Sequence, residues 1–354
     1  MDKIKLCNHS LYQEDVNSIL ELDCDFNILK NKTIFISGST GLIGTVLTDM
    51  LFFLSEKIKL NLTLILISRK IDECIENYEY TRVIKLKSDI TDNSIIDACK
   101  NFHIDYIFHL ASNTHPKQYS LFPIETITTN VLGTKNLLEL SSKNHNCRFV
   151  LASSVEVYGE LEQTSKGAIE TEFGYLDCNT PRACYNESKR LSETLCQAYK
   201  VQENVDVVIA RLCRCYGPSL KKDDTKALSQ FITNGISGND IVLKSNGNQY
   251  FSYLYSSDAA SALIFLMMKG INGEAYNISD EKSNVHLKDL ANIIAGMCEL
   301  KVIFDLPTDQ EKNGYSKATN AVISSEKINN LGWTAKIDIN TGLDRTIKIL
   351  KDIR

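Results

Sequence analysis

Apolar residues along this chain gather into short blocks, and the stretches between the blocks carry the spacing of amphipathic helices. Thr33–Ser37, Leu62–Ile67, Arg82–Leu86, Tyr106–Leu110, Arg148–Ala152 and Val205–Arg211 are such blocks, each only five to seven residues long. They are too continuously apolar for one wet face, so they predict strands buried on both sides. Helical stretches fall between them: Leu42 to about Leu54, Ser94–Lys100, about Ile124 to Lys143, and one through Tyr185 and Lys189 to about Glu203. That alternation predicts an α/β fold, a doubly wound parallel sheet covered by helices. Ligands of such sheets bind beyond the carboxyl ends of the strands, positions held here by Gly38, Ser68, Asp89, Ala111 and Ser154.

The first of these ends carries a glycine-rich turn, Ser37-Gly38-Ser39-Thr40-Gly41-Leu42-Ile43-Gly44. In a turn of this kind the first glycine permits the tight bend and the second lets a pyrophosphate approach the backbone. The third lets helix and strand pack closely, and the helix N-terminus faces the phosphates. The sheet is therefore expected to be Rossmann-type. After the second strand an acidic residue would bind the ribose 2′-hydroxyl, but Ser68-Arg69-Lys70 stands there. Arginine and serine suit a 2′-phosphate, so NADP is favoured over NAD. Asp89 and Ile90 are placed to contact the adenine.

Past about residue 213 the alternation gives way to a mixed pattern. Tyr216-Gly217-Pro218 reads as a turn, Asp223–Gly235 and Leu287–Met297 as helices, and Ser324–Gly332 as a helix with a glycine stop. The expected division is an N-terminal extension (1–32) packed outside the fold, with one helical pattern from Leu11 to Leu22, then a dinucleotide-binding domain (33–212). Residues 213–354 are expected to be mainly a substrate-binding lobe, smaller and C-terminal, with room for segments that return to the first domain.

Tyr185 and Lys189 lie four apart on the predicted helix, so phenol and ammonium share a face. A neighbouring cation favours phenolate, which turns a tyrosine of pKa near ~10 into a usable base. Ser154, at a strand end, can share the proton path. With the upstream glycines, this set points to removal of an alcohol proton while a nicotinamide takes the hydride.

Bulk composition narrows the classes. A net charge of −5 over 354 residues leaves no basic footprint for nucleic acid. No apolar stretch reaches membrane-spanning length, and Met1–Lys5 lacks a signal peptide's apolar core, so a cytoplasmic enzyme with no membrane partner is expected. The eleven cysteines are odd in number and scattered, without a Cys-x-x-Cys, which fits free thiols in a reducing compartment. Cys213 and Cys215 flank Arg214 at strand spacing and fit packing, and six scattered histidines predict no metal site.

Phe108-His109-Leu110-Ala111-Ser112, Pro181-Arg182-Ala183-Cys184-Tyr185, Glu193-Thr194-Leu195-Cys196 and Ala210-Arg211-Leu212 carry a family resemblance. From about Thr33 to the tail the chain resembles the extended short-chain dehydrogenase/reductases of the nucleotide-sugar epimerase/dehydratase family. Its middle is most similar to UDP-glucuronate decarboxylases. The resemblance implies a tightly held nicotinamide, transient oxidation at sugar C4, and a homodimer formed through the helix bearing Tyr185. It makes Tyr185 the C4-hydroxyl base, Lys189 the ribose ligand that lowers the tyrosine pKa, and Ser154 their hydroxyl partner. Leu110, Ala111, Ser112, Asn130 and Ser153 fall beside the cofactor, and Thr114, Glu156, Arg214, Lys226, Gln249, Phe251 and Tyr315 toward the substrate.

Three departures stand out. Ser154-Val155-Glu156 replaces the family's Thr-Ser-Glu or Thr-Asp-Glu, so residue 155 can neither donate a proton nor hold a carboxylate, while Glu156 can still act as a base at C5. The basic run that supplies a carboxylate-binding arginine in decarboxylases is here Asn313–Asn320. The family often has asparagine at the place of Arg214 and arginine near Phe251, so positive charge is expected to have moved from one wall of the pocket to the other. The expected activity is C4 oxidation of a nucleotide-activated sugar or polyol followed by epimerisation, elimination or decarboxylation at C5. A plain 4-epimerase is the alternative, and a non-catalytic dinucleotide sensor would not need the Tyr185–Lys189 pair.

Overall fold

The structure, a computed structural model, describes residues 3–69, 71, 79–161, 167–221, 223–305 and 319–353. Lys70 and Tyr315 fall outside the described residues, as does all of the 313–320 run except Thr319 and Asn320. A seven-stranded, wholly parallel sheet forms the centre: β1 (Thr33–Ser37), β2 (Leu62–Ile67), β3 (Thr81–Leu86), β4 (Tyr106–His109), β5 (Arg148–Ser154), β6 (Asp206–Leu212) and β10 (Ala275–Ile278). Its order is β10-β6-β5-β4-β1-β2-β3, so the winding reverses between β1 and β4, where such sheets bind their ligands.

Alternate residues of each strand feed two separate cores, which explains the unbroken apolar runs. Ile34, Ile36, Leu64, Leu66, Val150 and Ala152 join one, and Phe35, Ile65, Ile67, Phe149 and Leu151 the other. Helix α3 (Leu42–Ile58) packs on α9 (Ser256–Lys269) over the first face, and α6 (Pro123–Ser142) packs on α7 (Cys184–Glu203). Helices α4 (Ser94–Cys99) and α5 (Pro116–Leu121) are short connectors beside α6.

The rest of the C-terminal part builds a lobe above the strand ends. Strands β7 (Arg214–Tyr216), β9 (Tyr250–Tyr255), β11 (Asn284–His286) and β13 (Asn320–Ala321) form one small sheet, and β8 (Ile241–Leu243) with β12 (Val302–Phe304) a second. Helices α8 (Ala227–Ile236), α10 (Leu287–Cys298), α11 (Glu326–Leu331) and α12 (Ile339–Ile353) complete the lobe, and Gly332 closes α11 with φ +116°. Only Cys213 separates β6 from β7, so Arg214 stands where the chain leaves the main sheet. β10 and α9 return to the main sheet.

The N-terminal extension forms α1 (Lys3–Asn8), α2 (Ser10–Asn17) and two short 3-10 turns rather than one helical stretch. Leu6, Tyr12, Ile19 and Leu29 are fully buried in the larger core. Asp15 accepts from Tyr255 Oη at 2.6 Å and Arg345 Nη1 at 2.9 Å, which ties α2 to β9 and α12. The extension is therefore part of the core.

Candidate active site

Two cavities flank the glycine turn, of about 380 and 130 Å³. Both are lined by Gly38, Gly41, Leu110 and Ser112. All five strand-end residues, Gly38, Ser68, Asp89, Ala111 and Ser154, line one or the other. Gly38 has φ +72°, and a Cβ there would stand 2.8 Å from Ala111 N. A Cβ at Gly44 would overlap the Gly38 carbonyl oxygen. Gly41 caps α3 without a side-chain hydrogen bond, which leaves the first N–H groups of Leu42 and Ile43 for an anion. These features fit a dinucleotide whose pyrophosphate lies over the turn.

The smaller cavity holds Ser68, Arg69, Asp89 and Ile90, the residues expected on the adenine side. Thr40 Oγ1 and Ser68 Oγ meet at 2.8 Å on its rim, and Ile90 forms part of its wall. Arg69 Nη1 lies 3.8 Å from Asp89 Oδ2, and Arg69 Nη2 donates to Asn113 Oδ1 at 3.5 Å. Asn130 lines neither cavity. It lies buried behind Ser112, whose Oγ donates to it at 2.7 Å, and it donates in turn to Ser188 Oγ at 2.8 Å.

The larger cavity brings Ser153, Ser154, Glu156, Tyr185, Lys189, Arg214, Thr114, Lys226 and Phe251 together with Ile43 and Gly44. β5 delivers Ser154, whose Oγ accepts from Glu156 N at 3.2 Å and so starts the 3-10 turn that aims Glu156 inward. Tyr185 lies in the first turn of α7 and is hydrogen-bonded to the Ser154 side chain. Ser153 Oγ donates to Glu193, which Arg211 holds through contacts of 2.7 and 3.0 Å, a buried brace behind the serines. Gln249 is not among the lining residues: its Oε1 accepts from Ser245 Oγ at 3.2 Å, and its carbonyl accepts from Leu287 N.

One expectation from the i, i+4 spacing needs correction. Lys189 Nζ donates to Ala152 O at 2.8 Å and lies 6.0 Å from the Tyr185 ring centroid. Burial pushes the Tyr185 phenol upward, the Ser154 hydrogen bond opposes that, and Glu156 adds to the rise. Lys189 itself is pulled down to about 8 by burial, against the pull of Glu193. Desolvation outweighs the shared helix face, and the Ser154 hydrogen bond is the main contact that relieves the phenol.

Charged groups also meet at the far end of the larger cavity. Glu156 Oε2 accepts from Asn186 Nδ2 at 3.0 Å and lies 3.5 Å from Arg182 Nη2, while Oε1 lies 3.5 Å from Arg214 Nη2. The Arg214 guanidinium carbon lies 3.6 Å from the Phe251 ring centroid, and its buried Nη1 has no hydrogen-bond partner. Since β7 and β9 are neighbours, positions 214 and 251 share one wall. The Arg214 charge thus lies on that wall, over the ring of Phe251 from the adjacent strand. Sequence reasoning gave no role to Arg182, Asn186 or Tyr119, although Arg182 stood in the quoted Pro-Arg-Ala-Cys-Tyr stretch.

A glycine-cradled dinucleotide groove opening onto a Ser–Tyr–Lys set defines a dehydrogenase-type site on a Rossmann sheet. The sequence matches the NAD dependent epimerase/dehydratase family over residues 34–279, and the chain belongs to that family. It is 30% identical to UDP-glucuronic acid decarboxylase 1 of Xenopus tropicalis, over 89% of this chain and 71% of that protein. It is 31% identical to UDP-glucuronic acid decarboxylase 3 of Arabidopsis thaliana, over 88% of this chain and 87% of that one. The fold is shared with UDP-glucose 4-epimerase of Thermotoga maritima, solved with UDP-glucose (TM-score 0.78, 20% identity, 91% of this chain and 99% of that one). It is also shared with dTDP-glucose 4,6-dehydratase of Bacillus anthracis, solved with NAD (TM-score 0.74, 21% identity, 91% and 97%). No described helix is long and apolar enough to cross a membrane, and no described His/Cys/Asp/Glu group is suited to a metal.

Proposed function

We propose that this chain modifies a nucleotide-activated sugar or polyol by oxidising C4 and then carrying out chemistry at C5, with NADP preferred over NAD. The observation that carries the reading is the convergence of Ser154, Tyr185, Lys189 and Glu156 in one cavity beside the glycine turn. The bound dinucleotide supplies the hydride acceptor and donor. Tyr185, relieved by Ser154, takes the proton of the C4 hydroxyl. Lys189, held on Ala152 O, is placed for the ribose. Glu156, held by Asn186 on one oxygen and 3.5 Å from Arg214 on the other, takes the C5 proton, which the C4 ketone acidifies.

The decarboxylase relatives support a nucleotide sugar as substrate. Ser68 and Arg69 on the adenine rim support the 2′-phosphate. Ile124, Ile127 and Leu191, exposed on α6 and α7, support pairing with a second copy through the helix carrying Tyr185. The ten described cysteines, all free, support a cytoplasmic location. The ties of Glu156 to Arg182, Arg214 and Asn186 favour a second reading, a 4-epimerase in which Glu156 only lines the pocket.

Incubation with UDP-, GDP-, CDP- and dTDP-sugars in deuterium oxide separates the two. Deuterium at C5, abolished by Glu156→Gln while C4 oxidation survives, is the expected result. A product inverted at C4 with no deuterium at C5 establishes the epimerase. Loss of water or carbon dioxide, or an unchanged mass, selects the C5 branch.

A further inference from the structure

Any C5 reaction that begins with a C4 ketone must also give a proton back, and the strand end that carries Glu156 offers no acid. Val155 is apolar and buried. A phenol stands in the same cavity: Tyr119 on α5 lines it beside Glu156, Arg182 and Tyr185. The Tyr119 ring packs on the Tyr185 ring, centroids 5.6 Å apart at 35°, and the Arg182 guanidinium carbon lies 4.5 Å from its centroid. The Tyr119 ring therefore stands at the end of the cavity that Glu156, Arg182 and Arg214 also line.

Resting on the C5 reading above, we propose that Tyr119 is the proton donor of the second half-reaction, in place of the acid absent at residue 155. Burial holds its phenol up to about 12, so it enters the reaction protonated. Removal of the C5 proton by Glu156 leaves the bonding pair delocalised onto O4. That pair is discharged in one of two ways: a proton arrives at C5 on the other face, or a C5–C6 double bond forms as the C6 oxygen departs and takes a proton to leave as water. Where C5–C6 breaks instead, carbon dioxide departs and C5 takes the proton. In each case the Tyr119 O–H bond supplies it. The bonding pair stays on oxygen as a phenolate beside Arg182 and Arg214, and solvent water at the cavity mouth reprotonates it.

Tyr119→Phe keeps the ring contacts with Tyr185 and Arg182 and removes only the hydroxyl. Single turnovers of wild type and variant are compared with the nucleotide sugar that the panel selects, reading reduced nicotinamide, product and solvent deuterium separately. The expected variant forms the reduced cofactor at the wild-type rate, then stalls, with product slowed by roughly 10²–10⁴-fold. Exchange of the C5 proton persists in the variant if the product retains that position. An unchanged product rate overturns the proposal. Equal slowing of both half-reactions assigns Tyr119 to packing and overturns it too. A wild type that reduces no cofactor with any sugar overturns the C5 reading itself, and this proposal with it.

Discussion

On the proposed preference for NADP, Arg69 is the residue expected to set cofactor choice, and its neighbours allow the effect to be sized. Its guanidinium faces Asp89 at 3.8 Å, and both side chains are well exposed, at 63% and 41%. An exposed pair of this kind is worth about 0.2–1 kcal/mol. A 2′-phosphate in the same place accepts charge-assisted hydrogen bonds worth roughly 1.5–3 kcal/mol, from which the disturbed Asp89 contact is subtracted. The net preference for NADP expected on this reading is about 1–2 kcal/mol, or about five- to thirtyfold in affinity. Calorimetric titration of stripped protein with each dinucleotide reads this directly. Arg69→Ala should erase the preference by weakening NADP alone. Asp89→Asn, whose other oxygen is occupied by Thr91 in the wild type, should strengthen NADP a few-fold. Because the contact is exposed, added salt should shrink the preference. Wild-type protein that binds NAD as tightly as NADP, or an Arg69→Ala variant that loses both equally, refutes the reasoning.

Further outcomes follow from the same geometry. Tyr185→Phe should bind cofactor normally and lose turnover by several orders of magnitude, whereas Lys189→Ala should weaken cofactor binding as well as rate. A Tyr185→Phe enzyme of near wild-type turnover would sink the assignment of the base. Asp258 is buried and held up to about 7, chiefly by desolvation, against the N–H groups of Ile337 and Lys336. The folded state therefore binds the extra proton, and the contribution of Asp258 to stability is greatest below the usual carboxylate range and is lost as pH rises through about 7. Asp258→Asn should remove a slope worth on the order of 4 kcal/mol. Denaturant midpoints that change in parallel for wild type and variant between about pH 5 and about pH 8 would contradict this.

The Rossmann half was legible because its strands are buried on both faces and its helices on one, so each element writes its own periodicity. β1 and β2 fall on the residues expected, α6 lies within a residue of its expected span, and α7 ends at Glu203 as expected. The other half was less legible for a physical reason. α9 is buried along most of its length, so Ala259–Met267 carries no polar stripe to mark a helix, and β10 is only four residues long. The reach of Arg214 over Phe251 depends on the pairing of β7 with β9 across some forty residues, which no local pattern encodes. Glu156 was visible as a carboxylate after a strand, but its two arginine neighbours arrive from separate elements. Gln249 precedes β9, and its backbone pairing with Leu287, 38 residues on, has no local signal either.

The leader's burial also constrains how the molecule comes into being. Asp15 finds Arg345 some 330 positions later, and His9 meets Asp352 at 3.1 Å on the same helix. At roughly 5–20 residues per second of synthesis, α2 waits about twenty seconds to a minute on the ribosome for its partner. Throughout that interval Tyr12, Val16 and Ile19 lack part of their cover, and the seventh strand of the sheet is missing for most of it. Until residues 339–353 emerge, the newborn chain therefore carries an apolar surface that only its far end can cover.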